Sequence, residues 1–439
     1  MTRLFSICLL LCCAANGWAA VDHLHFTLHK LESTRAGPTL LVIGGIQGDE
    51  PGGFNAASLL VTDYRITRGT VWVVPNLNFA SIIRRSRGIH GDMNRKFADI
   101  PADDPEYDAV QAIKSIILDK RISMVLNLHD GSGFYRKKYS DRLHNPQRWG
   151  QSIIVDQASI PGVKAGNLLR QAELVAKQVN RVIRRKSHHF AVKNTRTREG
   201  DAEMEKTLTY FAVRHRRPAF GVEASKTFLT HERTFFHLQV VEEFMRQSGI
   251  GFERAFKLDN RSVKQRIDNN VRIALYQNRI YFDMAQARSR LSYVPMSKNS
   301  PLQFSASNPL VAVIPTHKHF QVRYGNRRVT RLQPQYFEFD DSLKQVAMEI
   351  DGKLQRIKLG SVVNVAQGFK VMPLEGYRAN VIGYSRKGLG NESGVTIKQQ
   401  DIMRRFSVDK LAQLFRVEFY RAGRFCGMVL VDFSDPANV

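Results

Sequence analysis

The sequence predicts an α/β domain in which helices flank the sheet, followed by two small all-β, sandwich-like domains. Three observations predict it. From residue 38 to about 250, short apolar runs alternate with segments of helical periodicity, the pattern of a sheet covered by helices. Beyond Gly249-Ile-Gly251 that periodicity gives way to short β-branched and aromatic runs separated by turn clusters. The 439 residues, 43% apolar and 24% charged, are ordinary globular material with room for about two to three domains.

Residues 1–19 read as an export signal. A basic Thr2-Arg3 start leads into the apolar Leu4 to Ala15, and Gly17-Trp-Ala19 places small residues at the −3 and −1 positions of a cleavage site. The apolar core is too short for a membrane span, and no later stretch is long enough to be one.

The α/β domain is expected over 20–255. A short leading strand falls within 21–35, carried by His23, His25, Phe26 and Leu28. Further strands are expected at Thr39–Gly45, Thr70–Pro75, Ser123–His129, Ser152–Val155 and Pro218–Ala224. Helices are expected at Pro51–Tyr64, Pro105–Asp119, Ala165–Arg185, Ala202–Arg214 and Glu232–Gln247. A first all-β domain, 256–343, is expected to hold strands at Val271–Leu275, Arg279–Asp283, Leu310–Ile314, His319–Tyr324 and Tyr336–Asp340, with loops at Pro295–Pro301 and Gly325-Asn-Arg327. A second, 344–439, holds Val346–Ile350, Leu354–Leu359, Lys370–Pro373, Arg378–Tyr384, Arg416–Arg421 and Cys426–Phe433.

Three of the four cysteines lie in the signal, so the mature chain keeps only Cys426 and forms no internal disulfide. The formal charge of +25 falls only to +24 when Arg3 leaves with the signal. Such an excess favours anionic partners by long-range steering. For an exported protein these are cell-wall polymer, anionic lipid or an acidic substrate. The export signal and the lack of a recognisable binding motif argue against nucleic acid.

Chemistry concentrates around Leu40–Gly53. An apolar run ends in Gly44-Gly45, Gln47 and Glu50 follow at i, i+3, and Pro51 suits the first turn of a helix. A strand end feeding polar groups into a helix start is where open α/β sheets place their sites. Taken alone, an ordinary strand–turn–helix with an exposed Asp and Glu is the better explanation, which the later stretches of the chain reverse. Leu126-Asn-Leu-His-Asp130 ends an apolar strand on His129, and imidazole is a common metal ligand. With Gln47 and Glu50 it makes three protein donors and leaves a fourth position for water, the pattern of a catalytic zinc site. Arg84-Arg85 and Asn94-Arg95 offer guanidinium and amide groups suited to a carboxylate. Glu223, ending the apolar Pro218-Ala-Phe-Gly-Val run, is costly there unless it pairs with a cation, Lys226 being at hand, or has a role such as proton transfer.

Taken together, Gln47-x-x-Glu50, Arg85, Asn94-Arg95 within Asp92-Met-Asn-Arg-Lys-Phe97, His129 and Glu223 resemble, in order, the motifs of the M14 zinc carboxypeptidase family. That family carries His-x-x-Glu, an Arg, a "DLNRNF"-like motif, a His and a late Glu. The resemblance covers residues 38–250 and implies a carboxypeptidase-like mixed sheet. Gln47 stands where the family has His, and an amide oxygen is a weaker, harder donor. The same Gln, the segment Arg148–Gln157 and "GVEASK" resemble a narrower group: the periplasmic, cell-shape-determining peptidoglycan DL-carboxypeptidases of helical and curved bacteria. The resemblance implies that Gln47, Glu50 and His129 hold Zn2+, Arg85 polarises the scissile carbonyl, Asn94 and Arg95 grip the terminal carboxylate, and Glu223 is general base and then acid. Tyr210 is the nearest match to a Tyr the family uses before the late Glu, and Trp149 either walls the substrate pocket or is an ordinary core residue.

The implied protein is a periplasmic enzyme that trims peptidoglycan stem peptides, removing meso-diaminopimelate from muramyl tripeptide, and is held near anionic wall polymer by its charge. Two rivals remain open from the sequence. One is an aspartoacylase- or succinylglutamate-desuccinylase-like amidohydrolase, which shares the metal layout. The other is a wall-binding scaffold with a weakened metal site.

Overall fold

The computed structural model describes Val21, residues 24–269 and residues 271–434. The export signal expected at 1–19 lies outside the described residues. The chain divides into a compact unit of His23–Ile267 and another built on Asp268–Val439.

The first unit contains, in order, β1 (His29–Glu32), β2 (Thr39–Gly44), α1 (Pro51–Asp63), β3 (Tyr64–Arg68), β4 (Thr70–Val74), α2 (Phe79–Arg84), α3 (Tyr107–Leu118), β5 (Ile122–Gly131), β6 (Phe134–Tyr135), β7 (His144–Asn145), β8 (Ser152–Val155), α4 (Leu168–Val182), β9 (Ala191–Asn194), α5 (Leu208–Arg214), β10 (Ala219–Ser225), α6 (Thr230–Gln247), β11 (Gly251–Arg254) and most of α7 (Asn260–Asn269). Seven strands form one mixed sheet in the order β1-β4-β2-β5-β10-β8-β9. Its centre, β4-β2-β5-β10, is parallel, while β1 and β8 run antiparallel to their inner neighbours. Strand β2 is buried at every residue and β5 at nearly every one, as parallel strands covered on both faces must be. That explains their unbroken apolar runs, and why a polar residue at a strand end is conspicuous.

The expected mixed sheet with flanking helices is therefore present, with local differences. The leading strand expected within 21–35 is His29–Glu32; His25, Phe26 and Leu28 precede it, and His23 lies outside the described residues. Helix α1 stops at Asp63, because Tyr64 turns extended and opens β3, which pairs with the distant β11. The helix expected over 202–214 is a 3-10 turn at Met204–Lys206 and then α5, with the Thr207 hydroxyl accepting the Tyr210 N–H as its cap.

The second unit is all-β among its regular strands. A sheet of Leu291–Ser297, Arg327–Phe337, Phe320–Tyr324 and Val311–Pro315 lies nearer its start, with a three-stranded sheet of Ile280–Asp283, Arg272–Leu275 and Phe304–Ala306. Two four-stranded sheets from Gln345 onward share a core that includes Met348, Phe369, Val381, Phe415 and Val429. Pro295, read from sequence as opening a loop, lies in the strand Leu291–Ser297. That strand is at a sheet edge, where a missing N–H is tolerated. The strand expected at Tyr336–Asp340 runs instead over Arg327–Phe337, and its charged outward residues masked the alternation. No helix among the described residues is long and apolar enough to cross a membrane.

Candidate active site

The turn between β2 and α1 is shaped by glycine. Gly45 takes φ +74°, and a Cβ on Gly48 would lie 2.1 Å from the Ser81 backbone of α2. The turn is thereby pressed against α2. It carries the buried Gln47 and Glu50 toward the C-terminal end of β5, where His129 stands. His129 Nδ1 is 3.1 Å from Gln47 Oε1 and 3.0 Å from Glu50 Oε2. Gln47 Nε2 donates to both Asp92 oxygens, at 2.8 and 2.9 Å, so the amide oxygen is the atom turned to His129.

Strand register brings in the next group. Glu223 on β10 pairs with His129 on parallel β5, so the two side chains stand side by side on one face of the sheet. The Glu223 Oε2 atom is buried and has no hydrogen-bond partner among the described residues. Burial pushes its carboxyl pKa up, against the pull of His129 and with help from Glu50. For His129, burial lowers the pKa, but the Glu50 carboxylate outweighs it and the net direction is up.

Cations and a buried network surround this cluster. Glu50 Oε1 lies 3.4 Å from Lys226 Nζ and 3.6 Å from Arg87 Nη1. Arg87 also binds Asp92 at 2.9 Å. Asp130, next to His129, accepts from Gly52 N and Arg233 Nη1, both at 2.8 Å, and meets His237 Nε2 at 3.1 Å. Its own N–H donates to Glu50 Oε2 at 3.1 Å. One buried carboxylate thus ties α1 and α6 to the strand that carries His129.

The remaining sequence candidates are placed as follows. Asn94 is buried, and its Oδ1 accepts the Leu208 N–H at 3.0 Å at the start of α5. Arg95 lies 3.5 Å from Glu203. Trp149 follows the β6–β7 excursion and carries Lys193 Nζ 3.6 Å above its ring. Gly131, between Trp149 and Glu223, is required by space, since a Cβ there would fall 2.5 Å from Gly150 N and 2.7 Å from Glu223 Oε2. Tyr210 is buried within α5, and its hydroxyl makes no hydrogen bond to the cluster. Arg85 sits exposed at the C-cap of α2 with a left-handed φ of 55°. The guanidinium that reaches Glu50 belongs instead to Arg87, because the chain reverses after that cap. The sequence does not single out Arg87 or Lys193, and it offers Lys226 only as a partner for Glu223, whereas its Nζ lies 3.1 Å from Asp49 and 3.4 Å from Glu50. Asp92 is marked only by opening the Asp-Met-Asn-Arg motif.

The donor set fits a metal ion. Ligands of a tetrahedral site with bonds of about 2.0–2.1 Å stand about 3.3–3.4 Å apart, close to the separations around His129 Nδ1. Among the described residues no group of three His, Cys, Asp or Glu is arranged to hold a metal, and the set described here includes an amide instead.

A mixed sheet with an amide, a carboxylate and an imidazole converging at its strand ends, followed by an all-β region, defines a hydrolase of the metallo-carboxypeptidase type. The family model described as "Carboxypeptidase controlling helical cell shape", catalytic part, matches residues 1–268, and one described as the C-terminal domain of metallo-carboxypeptidase matches residues 339–434. The chain belongs to this family of cell-shape-controlling carboxypeptidases. It is similar to the cell shape determinant protein Csd4 of Helicobacter pylori, at 40% identity. The apo and tripeptide-bound structures each match over 93% of this chain and 100% of theirs, with TM-scores of 0.86 and 0.85. The mDAP-bound form, described as a D,L-carboxypeptidase, matches over 92% of this chain and 100% of its own, with a TM-score of 0.86. Among curated proteins none matches.

Proposed function

We propose that this protein is an exported, zinc-dependent D,L-carboxypeptidase that removes meso-diaminopimelate from the muramyl tripeptide of peptidoglycan and so influences cell shape. One observation carries the reading: Gln47, Glu50 and His129 converge while the next strand presents Glu223 with an unpartnered buried oxygen. The tripeptide- and mDAP-bound forms of Csd4 supply the substrate class. The expected export signal and the family together support a periplasmic location. A division of the β region near residue 343 is supported by the C-terminal family match at 339–434.

Gln47 Oε1, Glu50 and His129 would hold the ion. When bound, zinc supplies Lewis acidity, lowering the pKa of water toward neutrality and polarising a carbonyl. Glu223 accepts the proton of the attacking water as the new C–O bond forms, and returns it to the departing amine as the C–N bond breaks. Arg87, already at Glu50, takes the oxyanion-stabilising role that the resemblance implied for Arg85. Asn94 and Arg95 grip the free carboxylate of the residue released, which makes the reaction exopeptidic. Trp149 and Lys193 wall the pocket beside Glu223, and Tyr210 backs it through α5. The positive net charge keeps the enzyme near anionic wall polymer.

The test incubates the protein with muramyl tri-, tetra- and pentapeptides, with and without chelator, and reads products by mass. Release of diaminopimelate from tripeptide alone, abolished by chelator, is the expected result. Products that do not depend on metal, or acyl groups released from small amino acids instead, would overturn it.

A further inference from the structure

The all-β unit contains a cleft that the peptidase chemistry does not use. Strand Leu291–Ser297 slips register against Arg327–Phe337 between Leu291 and Val294. Within that bulge Tyr293 adopts a left-handed φ of 56°, an unfavourable conformation for a bulky residue. Both bulge carbonyls are held by one guanidinium: Arg416 donates to Ser292 O at 2.7 Å and to Tyr293 O at 3.1 Å. Arg416 is only 2% exposed, and its charge is met by Glu418 at 3.1 Å. Burying an arginine is costly unless its donors are used. Here they hold a strained bulge open.

The consequence is an aromatic platform. Tyr293 is 55% exposed, and the Phe406 ring lies across from its ring at 6.4 Å, tilted by 37°. Phe406 ends the turn Arg404–Phe406, which Arg288 pins by donating to Arg404 O at 2.8 Å and to Ser407 Oγ at 2.9 Å. The cleft of about 290 Å³ is completed by Arg290 and Arg405, and no acidic side chain lines it. Arg290 donates to Gln333, and Arg405 lies over Phe406; neither forms an ion pair among the described residues.

We propose that this cleft binds an anionic glycan, with a pyranose ring stacked on Tyr293 against Phe406 and an appended carboxylate on Arg290 and Arg405. The polarised C–H face of a sugar suits the electron-rich face of an aromatic ring, and a guanidinium pair suits a carboxylate. The choice of wall glycan as source rests on the proposed peptidoglycan function. There the lactyl group of a muramyl residue that has lost its peptide supplies the carboxylate, and the site holds the enzyme on peptide-free stretches beside the stems it trims.

The full chain is titrated by calorimetry with four ligands: peptide-free wall glycan strands with free lactyl carboxylates, galacturonate oligomers, neutral N-acetylglucosamine oligomers and polyglutamate. Tyr293→Ala and Arg405→Gln, both on exposed side chains, are measured beside the parent, with tripeptide trimming assayed in parallel. The wall strands should bind the parent about tenfold or more tighter than the neutral oligomers and polyglutamate. Each variant should lose about tenfold or more while its trimming kcat/KM is unchanged. Galacturonate bound as tightly as wall strands supports the site and assigns another source for its glycan. No binding of either acidic glycan, polyglutamate bound as tightly as both, or variants that bind like the parent overturns the proposal. Trimming without glycan binding overturns the cleft alone, whereas glycan binding without metal-dependent trimming overturns only the proposed function.

Discussion

Asp92 takes both hydrogen bonds of the Gln47 amide nitrogen, and this turns the amide oxygen toward His129. An amide carries a donor end and an acceptor end of nearly equal size, so only its partners decide which one faces the site. Burial raises the Asp92 pKa, but Gln47, Arg87 and Arg95 outweigh it and hold the carboxyl below its ordinary range, so it accepts as a carboxylate at neutral pH. Asp92→Ala is expected to weaken metal binding about 10–100-fold. Competition against a chelating dye measures this, and an unchanged Kd would mean that something else orients Gln47.

The two arginines of the loop after α2 separate by mutation. Arg87→Ala should lower kcat/KM by about 10²–10³-fold, the scale for losing an oxyanion-stabilising donor. Arg85→Ala, altering an exposed helix cap, should cost less than about tenfold. A larger loss at Arg85 than at Arg87 would reverse the assignment.

Glu223→Gln keeps the shape and removes the proton acceptor. Turnover of muramyl tripeptide should fall about 10²–10⁴-fold. Substrate binding and Tm should be preserved, because the variant discards a carboxylate oxygen that has no partner in the fold. Retention of more than about a tenth of the parent kcat would remove Glu223 from the proton path.

Asp156, just past β8, gives a pH signature unrelated to catalysis. Burial pushes its carboxyl pKa up to about 6, although the Thr209 and Thr197 hydroxyls pull the other way. The folded state therefore binds this proton more tightly than the unfolded chain, whose value is near 3.8. The contribution of Asp156 to stability is fullest below about pH 4, is lost as pH rises toward 6, and is level above, with a span of about 3 kcal/mol. Asp156→Asn removes the titration, so the stability of the variant relative to the parent should rise across that window. Denaturant unfolding at pH 4, 5, 6 and 7 measures it, and a gap independent of pH would contradict the account.

Much of the fold is written in local chemistry. The apolar runs of β2, β5 and β10 announce buried parallel strands, Pro51 announces the start of α1, and the turn clusters beyond Gly251 announce a β region, because each depends on neighbours in sequence. Short half-polar strands such as β3 and β11 are legible only through each other, and they pair in space while lying far apart in the sequence. The same limit applies to Pro295, which sequence alone marks as loop and the sheet edge accepts.

For the site, the sequence by itself determined the residue types and their order: Gln47 and Glu50 after one strand, His129 and Glu223 at the ends of two others. Tertiary structure alone decided that these ends meet, since strand order and register set side-chain neighbours across the sheet. It also decided that Arg87 rather than Arg85 faces Glu50, and that Asp92 fixes which end of an amide is offered. Each is a matter of direction, and direction comes from how the backbone turns after a cap and from who holds the other end of a side chain, neither of which residue identity and spacing contain.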